Sequence, residues 1–426
     1  MSSRVAAVVL TYIFFGTLFA AEADGPLIPY TGPSTDGVDR TTLTGKVMTG
    51  YQGWFNCEGD GANLGWTHWA HDLFKPLGPG NVSVDLWPDV TELTPAERFP
   101  TGFTHPDGKA AEVFSSFHRE TVLRHFRWMR EYGIDGAFVQ RFANGLKNKI
   151  LRHHKDVVLA NCREGANREG RAYAVMYDLS GIRAGETSAV MEDWLLLREK
   201  MEIGQDPAYL HHRGKPLVAL WGIGFHDDRK YTLTECYELV GFFKAEGCSV
   251  MIGTPTGWRD LDRDALPDPA LHGILRLADV VSPWTVGRYR NPEQVARHAE
   301  TVWKPDLAWC VQEKLDYLPV VFPGFSWHNL NPKSPVGDIP RLGGEFLWSQ
   351  FTAAKAAGAE MIYVAMFDEV DEGTAIFKCT NEPPTGPDPF LTYEGLPPDH
   401  YLWLTGEGGR LFRGEIKATE VLPTRN

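Results

Sequence analysis

The segment Phe367-Asp368-Glu369-Val370-Asp371-Glu372-Gly373 places four carboxylates within five positions, directly after an apolar run. Ionised together at close range, these groups repel, so at least one should bind its proton more tightly than a free side chain does. A carboxylic acid still protonated near neutrality, beside a second carboxylate, is what cleavage of a glycosidic bond requires. One group protonates the departing oxygen and the other acts as base or nucleophile. The same residues in isolation would also suit a solvated acidic loop or a calcium-binding loop.

The elements that must position them decide between these readings. Short runs rich in Val, Ile, Tyr and Phe fall at 47–51, 136–140, 172–177, 216–220, 249–254, 278–282, 319–322 and 360–366. Their continuous apolar character is that of strands buried on both faces. Helical spacing separates them, at 111–131, 146–163, 187–201, 232–245, 292–303 and 343–357. Eight such repeats predict an α/β chain forming a single (β/α)8 TIM barrel over 45–415, with a long first βα loop. An open doubly wound sheet is disfavoured by the strand count and by the lack of a G-x-G-x-x-G fingerprint.

In a barrel of this kind, chemistry sits just past the C-terminal strand ends. Those positions hold Tyr51, Gln52 and Trp54, then Arg141, Asp178, Trp221, Trp258, Trp284, Trp327 with His328, and finally the carboxylates. Aromatic rings stack on the C–H faces of sugars, so Trp54, Trp221, Trp284 and Trp327 are candidate platforms. Tyr51, Asp178, His328, Asp368 and Asp371 are candidate hydroxyl partners. For Asp178, a cap on the following segment is an equal alternative. The first loop, 55–109, is long enough to form one wall of the cleft, and it carries Asn81-Val82-Ser83, a glycosylation sequon.

The chain has 426 residues and a formal net charge of −13. With no basic block, nucleic acid and anionic membranes are unsuitable partners; an oligosaccharide or polysaccharide is the expected one. Residues 1–23 read as a signal peptide, with Arg4 before an apolar stretch and small residues at Ala20, Ala21 and Ala23. A secreted or periplasmic location follows, with no membrane span expected. A lead over 24–44 precedes the barrel and a polar tail over 416–426 ends the chain. Six cysteines are scattered without a C-x-x-C pair. Cys57 and Cys379 follow the first and last strands, neighbours in a closed barrel, so a bridge between them is an expectation. No H-E-x-x-H or other metal-ligand spacing is present, so neither metal nor cofactor is predicted.

The E-x-x-E-G pattern after the last strand resembles the catalytic segment of glycoside hydrolase families 71 and 99. Gly50-Tyr51-Gln52-Gly53-Trp54, Gly133-Ile134-Asp135-Gly136, Tyr177-Asp178-Leu179-Ser180-Gly181, and Gly214-Lys215-Pro216 leading to Trp221-Gly222 resemble further segments in order. The resemblance spans 47–414 and implies an endo-α-mannosidase-related glycosidase; relatives of this kind often carry a xylosidase or arabinosidase label. It implies Glu372 as general acid/base and Glu369 as base on the sugar 2-hydroxyl, giving a 1,2-anhydro sugar. With a cis 2-hydroxyl, Glu369 would instead activate water and invert the anomeric centre. Val370 and Asp371 stand where family 99 has Trp-His, and Asp368 where an Asn is expected. Two other readings share the barrel. One is a glycan-binding protein without turnover, the other a metal-dependent hydrolase or lyase using 368–372 as ligands.

Overall fold

The computed structural model describes residues 25–425, so the signal-peptide expectation at 1–23 lies outside the described residues. The barrel strands are β1 (Val47–Tyr51), β2 (Gly136–Phe142), β3 (Ala172–Asp178), β4 (Lys215–Trp221), β5 (Ser249–Pro255), β6 (Val280–Trp284), a two-piece β7 (Asp316–Tyr317 and Val320–Val321) and β8 (Ile362–Val364). All pair in parallel, each with the next in sequence from β1 to β6. The first piece of β7 pairs with β6 and the second with β8, which returns to β1 in the register Val47↔Ile362.

Leu318 N–H to Val281 O (2.9 Å) and Tyr363 N–H to Pro319 O (3.0 Å) carry the ladder across the break in β7. The sheet therefore closes on itself, and the predicted (β/α)8 barrel is the architecture. β7 is split because Pro319 has no N–H to donate at that point.

Around the sheet lie α1 (Arg119–Glu131), α2 (Lys149–Glu169), α3 (Ser188–Leu196), α4 (Leu233–Ala245), α5 (Ala270–Leu275), α6 (Pro292–His298), α7 (Lys304–Glu313), α8 (Glu345–Ala357) and α9 (His400–Phe412). Among the described residues, no helix is long and apolar enough to cross a membrane. The caps are legible in the residues. Asn148 Oδ1 accepts from the N–H groups of Ile150 and Leu151 at the start of α2, and Thr232 with Glu235 forms a capping box on α4.

One helix begins later than its spacing predicts. Residues 110–113 form a strand that pairs antiparallel with Phe99–Thr104, and α1 starts only at Arg119. Val113 and Phe114 meet a helical pattern, but Val113 is the partner of Phe99, and cross-strand pairing overrides the local periodicity. The first loop thus contains a hairpin. The Cys57–Cys379 bridge is not formed, and all six cysteines are free and buried. Cys57 Sγ is directed to the Phe114 carbonyl, 3.2 Å away, within the first loop's own packing.

Candidate functional site

The residue after β8 that enters the site first is Glu369. It is 4% exposed, and both oxygens are held: Gln52 Nε2 donates to Oε1, and Thr374 Oγ1 donates to Oε2 at 2.5 Å. Gln52 sits just past β1, the strand beside β8, so the closure of the barrel brings the two side chains together. Burial pushes the Glu369 carboxyl well above its ordinary range, and Glu372 and Asp371 push it further.

Glu372 is partly exposed, and among the described residues its carboxyl has no hydrogen-bond partner. Burial and then the Asp371 charge raise it to about 7. Two adjacent carboxyls raised together hold about one proton between them near neutrality. Neutral donors stabilise the anion of Glu369, and Glu372 has none, so the geometry favours the anion on Glu369 and the proton on Glu372.

The loop carrying them is clamped by a residue of the first loop. Asp85 is fully buried and accepts from the N–H groups of His328 and Asn329, both at 2.7 Å, and from the Ser326 hydroxyl. Its own N–H reaches Val370 O at 3.1 Å, and Ser326 N–H reaches Glu372 O at 2.9 Å. Loops one, seven and eight are thereby tied around the glutamates. Two glycines permit the fit. A Cβ at Gly373 (φ 63°) would lie 2.8 Å from the Ser326 backbone, and one at Gly50 would lie 2.5 Å from the Tyr363 hydroxyl.

The other expected residues divide. Trp221, Trp284 and Trp327 are partly exposed, with Trp221 and Trp284 edge-to-face at 5.4 Å, and they remain candidate platforms. Asp371 is buried and accepts from His68 Nδ1 at 2.8 Å. Asp178 caps the following turn through Ser180 N–H (2.7 Å), the alternative its position allowed, and burial raises its carboxyl.

Three expectations are corrected. Tyr51 is fully buried, packs on Phe126 and Phe367, and spends its hydroxyl on His125 Nδ1 at 2.9 Å, facing α1 rather than a cleft. Asp368 is fully buried with its two oxygens taken by the N–H groups of Gln52 (2.8 Å) and Gly53 (2.9 Å); burial still lifts it to about 7. It joins the ends of β1 and β8 and offers no free oxygen to a sugar. His328, by contrast, stays a candidate hydroxyl partner: its ring is partly exposed, and only Nδ1 is taken, by Ser334 O at 2.6 Å within its own loop.

Trp54 is the third. It is stacked by His68 at 3.7 Å and by Phe142 at 5.1 Å. Those two rings make no contact with each other, so they cover opposite faces, and neither is left as a platform. Arg141, also noted at a strand end, is fully buried and turned outward to Asp156 and Asp193 on α2 and α3. Gln52 was visible at a strand end, whereas the roles of Thr374, His68 and Asp85 had no local signal.

At the sequon, Asn81 Nδ2 donates to the carbonyls of Asp72, Lys75 and Pro76, and Ser83 Oγ to His68 O. Both side chains are committed to holding the first loop.

No family model matches the chain. Its fold is similar to that of the GH99 endo-α-mannosidase of Bacteroides thetaiotaomicron, with a TM-score of 0.63 at 18% identity, covering 88% of this chain and 99% of that one. A protein described as glycoside hydrolase-like matches with a TM-score of 0.53 at 14% identity, over 90% and 99% of the two chains. Among curated proteins, a glycoprotein endo-α-1,2-mannosidase-like protein of Danio rerio is 29% identical over 119 residues. That match covers 26% of this chain and 25% of the relative, so the chain spans about a quarter of the curated protein it resembles. The resemblance read from the motifs is matched by a likeness of the whole barrel.

Proposed function

We propose that the protein is an exported glycoside hydrolase acting on an α-linked glycan, with Glu372 as general acid/base and Glu369 as the second carboxylate. The observation that carries this reading is the asymmetry of the pair. Glu369 is oriented by two donors, whereas Glu372 is uncommitted, raised to about 7 and partly open. A group with that pKa is poised to give a proton to a glycosidic oxygen and to recover it from water or a hydroxyl.

With a sugar whose 2-hydroxyl lies trans to the leaving group, Glu369 takes the 2-hydroxyl proton as that oxygen attacks the anomeric carbon. Glu372 protonates the leaving oxygen. The resulting 1,2-anhydro sugar opens to water activated by Glu372 while Glu369 returns its proton to the 2-oxygen, and configuration is retained. The names of the mannosidase relatives favour this substrate geometry. The three partly exposed tryptophans support a carbohydrate as the occupant.

The test is hydrolysis of a panel of α-linked manno- and gluco-oligosaccharides, with products followed by mass spectrometry and by NMR of the newborn anomer. Cleavage of an α-mannoside with retention supports the whole reading, whereas inversion removes the anhydro step and leaves Glu369 activating water. Binding without cleavage across the panel would make the barrel a carbohydrate receptor.

The pH dependence has a definite sign. The coupled pair loses its first proton near 7, and the proton that remains, the general acid, is held more tightly because its loss leaves two adjacent carboxylates charged. On the cleaved substrate, kcat/KM is therefore expected to rise as pH passes about 7, where the one-proton pair forms, and to fall tenfold per pH unit only on an alkaline limb above that. A flat profile from pH 6 to 9 would remove Glu372 from the acid role.

A further inference from the structure

The first loop brings a histidine to the acidic segment. His68 Nδ1 lies 2.8 Å from Asp371 Oδ2, and Asp371 stands between Glu369 and Glu372 in the chain. The imidazole lies flat on Trp54, with a ring separation of 3.7 Å and 5° between the planes. Trp54 is backed in turn by Phe142. Ser83 Oγ fixes the His68 carbonyl at 2.6 Å, and the residue holds φ at 62°, a left-handed conformation uncommon for a residue with a side chain. The ring is thus fixed by a carboxylate, an aromatic stack and a bonded backbone.

Two polar atoms of this arrangement are unspent. Asp371 Oδ1 is buried with no partner among the described residues, and the residue is only 2% exposed. His68 Nε2 also has no partner among the described residues, on a side chain that is 34% exposed. A buried carboxylate oxygen left without a donor is unfavourable, and a hydroxyl seated beside it removes that cost.

We infer that His68 and Asp371 form a sugar-recognition pair, taking hydroxyl groups of the ring held between Glu369 and Glu372. Asp371 keeps the proton on His68 Nδ1, which leaves Nε2 as an acceptor in the neutral ring. Nε2 and Asp371 Oδ1 then accept from two hydroxyls of one sugar. His68 replaces Trp54 as the surface this wall presents, because both faces of that indole are covered. This inference rests on the glycosidase reading and adds a residue that sets specificity.

Amide substitutions separate the two nitrogens. In His68→Asn, the short amide matches Nδ1, retains the Asp371 bond and suits a left-handed backbone, but nothing replaces Nε2. In His68→Gln, the longer amide reaches the Nε2 position. Each is made in the wild type and in a Glu372→Gln background, where binding is read by calorimetry without turnover. The probes are the cleaved α-oligosaccharide and its monodeoxy analogues.

His68→Asn is expected to weaken binding about tenfold to a hundredfold, with His68→Gln recovering most of the loss. For the one analogue lacking the contacted hydroxyl, the His68→Asn penalty should vanish. Wild-type affinity in His68→Asn, or an equal penalty for every analogue, overturns the pair as a recognition element. If the Glu372→Gln protein binds no glycan of the panel, the glycosidase reading itself falls. Intact binding with an unchanged His68→Asn affinity sinks only the inference.

Discussion

Glu372→Gln is expected to lower kcat on the cleaved glycan by about 10²–10⁴-fold and, at pH 7, to raise the thermal midpoint. The loss follows from the role. Glutamine fills the same space but has no proton to give the leaving oxygen. The gain follows from the environment. Burial raises Glu372 to about 7 in the folded protein, against about 4.3 for an exposed glutamate. The folded state therefore binds more protons than the unfolded one between those values. The favourable contribution of the proton is complete below about 4 and is lost as pH rises through 7. The full difference corresponds to roughly 4 kcal/mol, reduced by partial solvent access. Thermal melts of the wild type should fall between pH 5 and pH 8 more steeply than those of Glu372→Gln. An active Glu372→Gln protein would remove the acid/base assignment, and parallel melting profiles would remove the electrostatic account.

Asp193→Ala is expected to destabilise the barrel by about 3–5 kcal/mol with little change in activity per folded molecule. Arg141 leaves the end of β2 toward the helices and is 1% exposed. Asp193 accepts from its Nε and Nη2, both at 2.6 Å, while Asp156 accepts from Nη2 at 2.5 Å. Tyr177 adds a hydroxyl bond to Asp193 at 2.8 Å, and Arg141 Nη1 already has no partner among the described residues. Removing Asp193 leaves a guanidinium in the interior with one carboxylate on its rim, and the energetic cost is that of the unpaired charge. Urea denaturation measures it. A change below about 1 kcal/mol would show that water reaches Arg141 in solution.

The barrel was legible because its strands are buried on both faces and read as unbroken apolar runs, as in β3 and β5. Cross-strand pairing concealed the hairpin at 99–113, where the residues that meet Phe99 also meet a helical pattern. In the site, the glutamates were legible because four carboxylates after the last strand have few benign placements. Direction along the strand was not legible. Tyr51, Arg141 and Asp368 stand at strand ends, yet each side chain turns outward or is consumed by backbone amides. A strand end defines position, and one residue of register decides whether a side chain faces the cleft or the helices. His68 and Asp85 belong to a long loop without periodicity, so only the folded chain could bring them to Asp371 and Ser326.

The Asp85 clamp also sets an order of events during synthesis. Asp85 is made early, and its partners at Ser326, His328 and Asn329 lie 241 to 244 residues downstream. Gln52 waits longer for Asp368, 316 residues away. As the chain leaves the ribosome, β1 has no second edge partner and Asp85 has no donors until the last quarter has emerged. The first loop, although translated first, takes its final form last. Closure is then a single late event of high contact order, which slows folding. Truncation before the last strand leaves a nascent barrel with an open edge, a form suited to chaperone binding or aggregation.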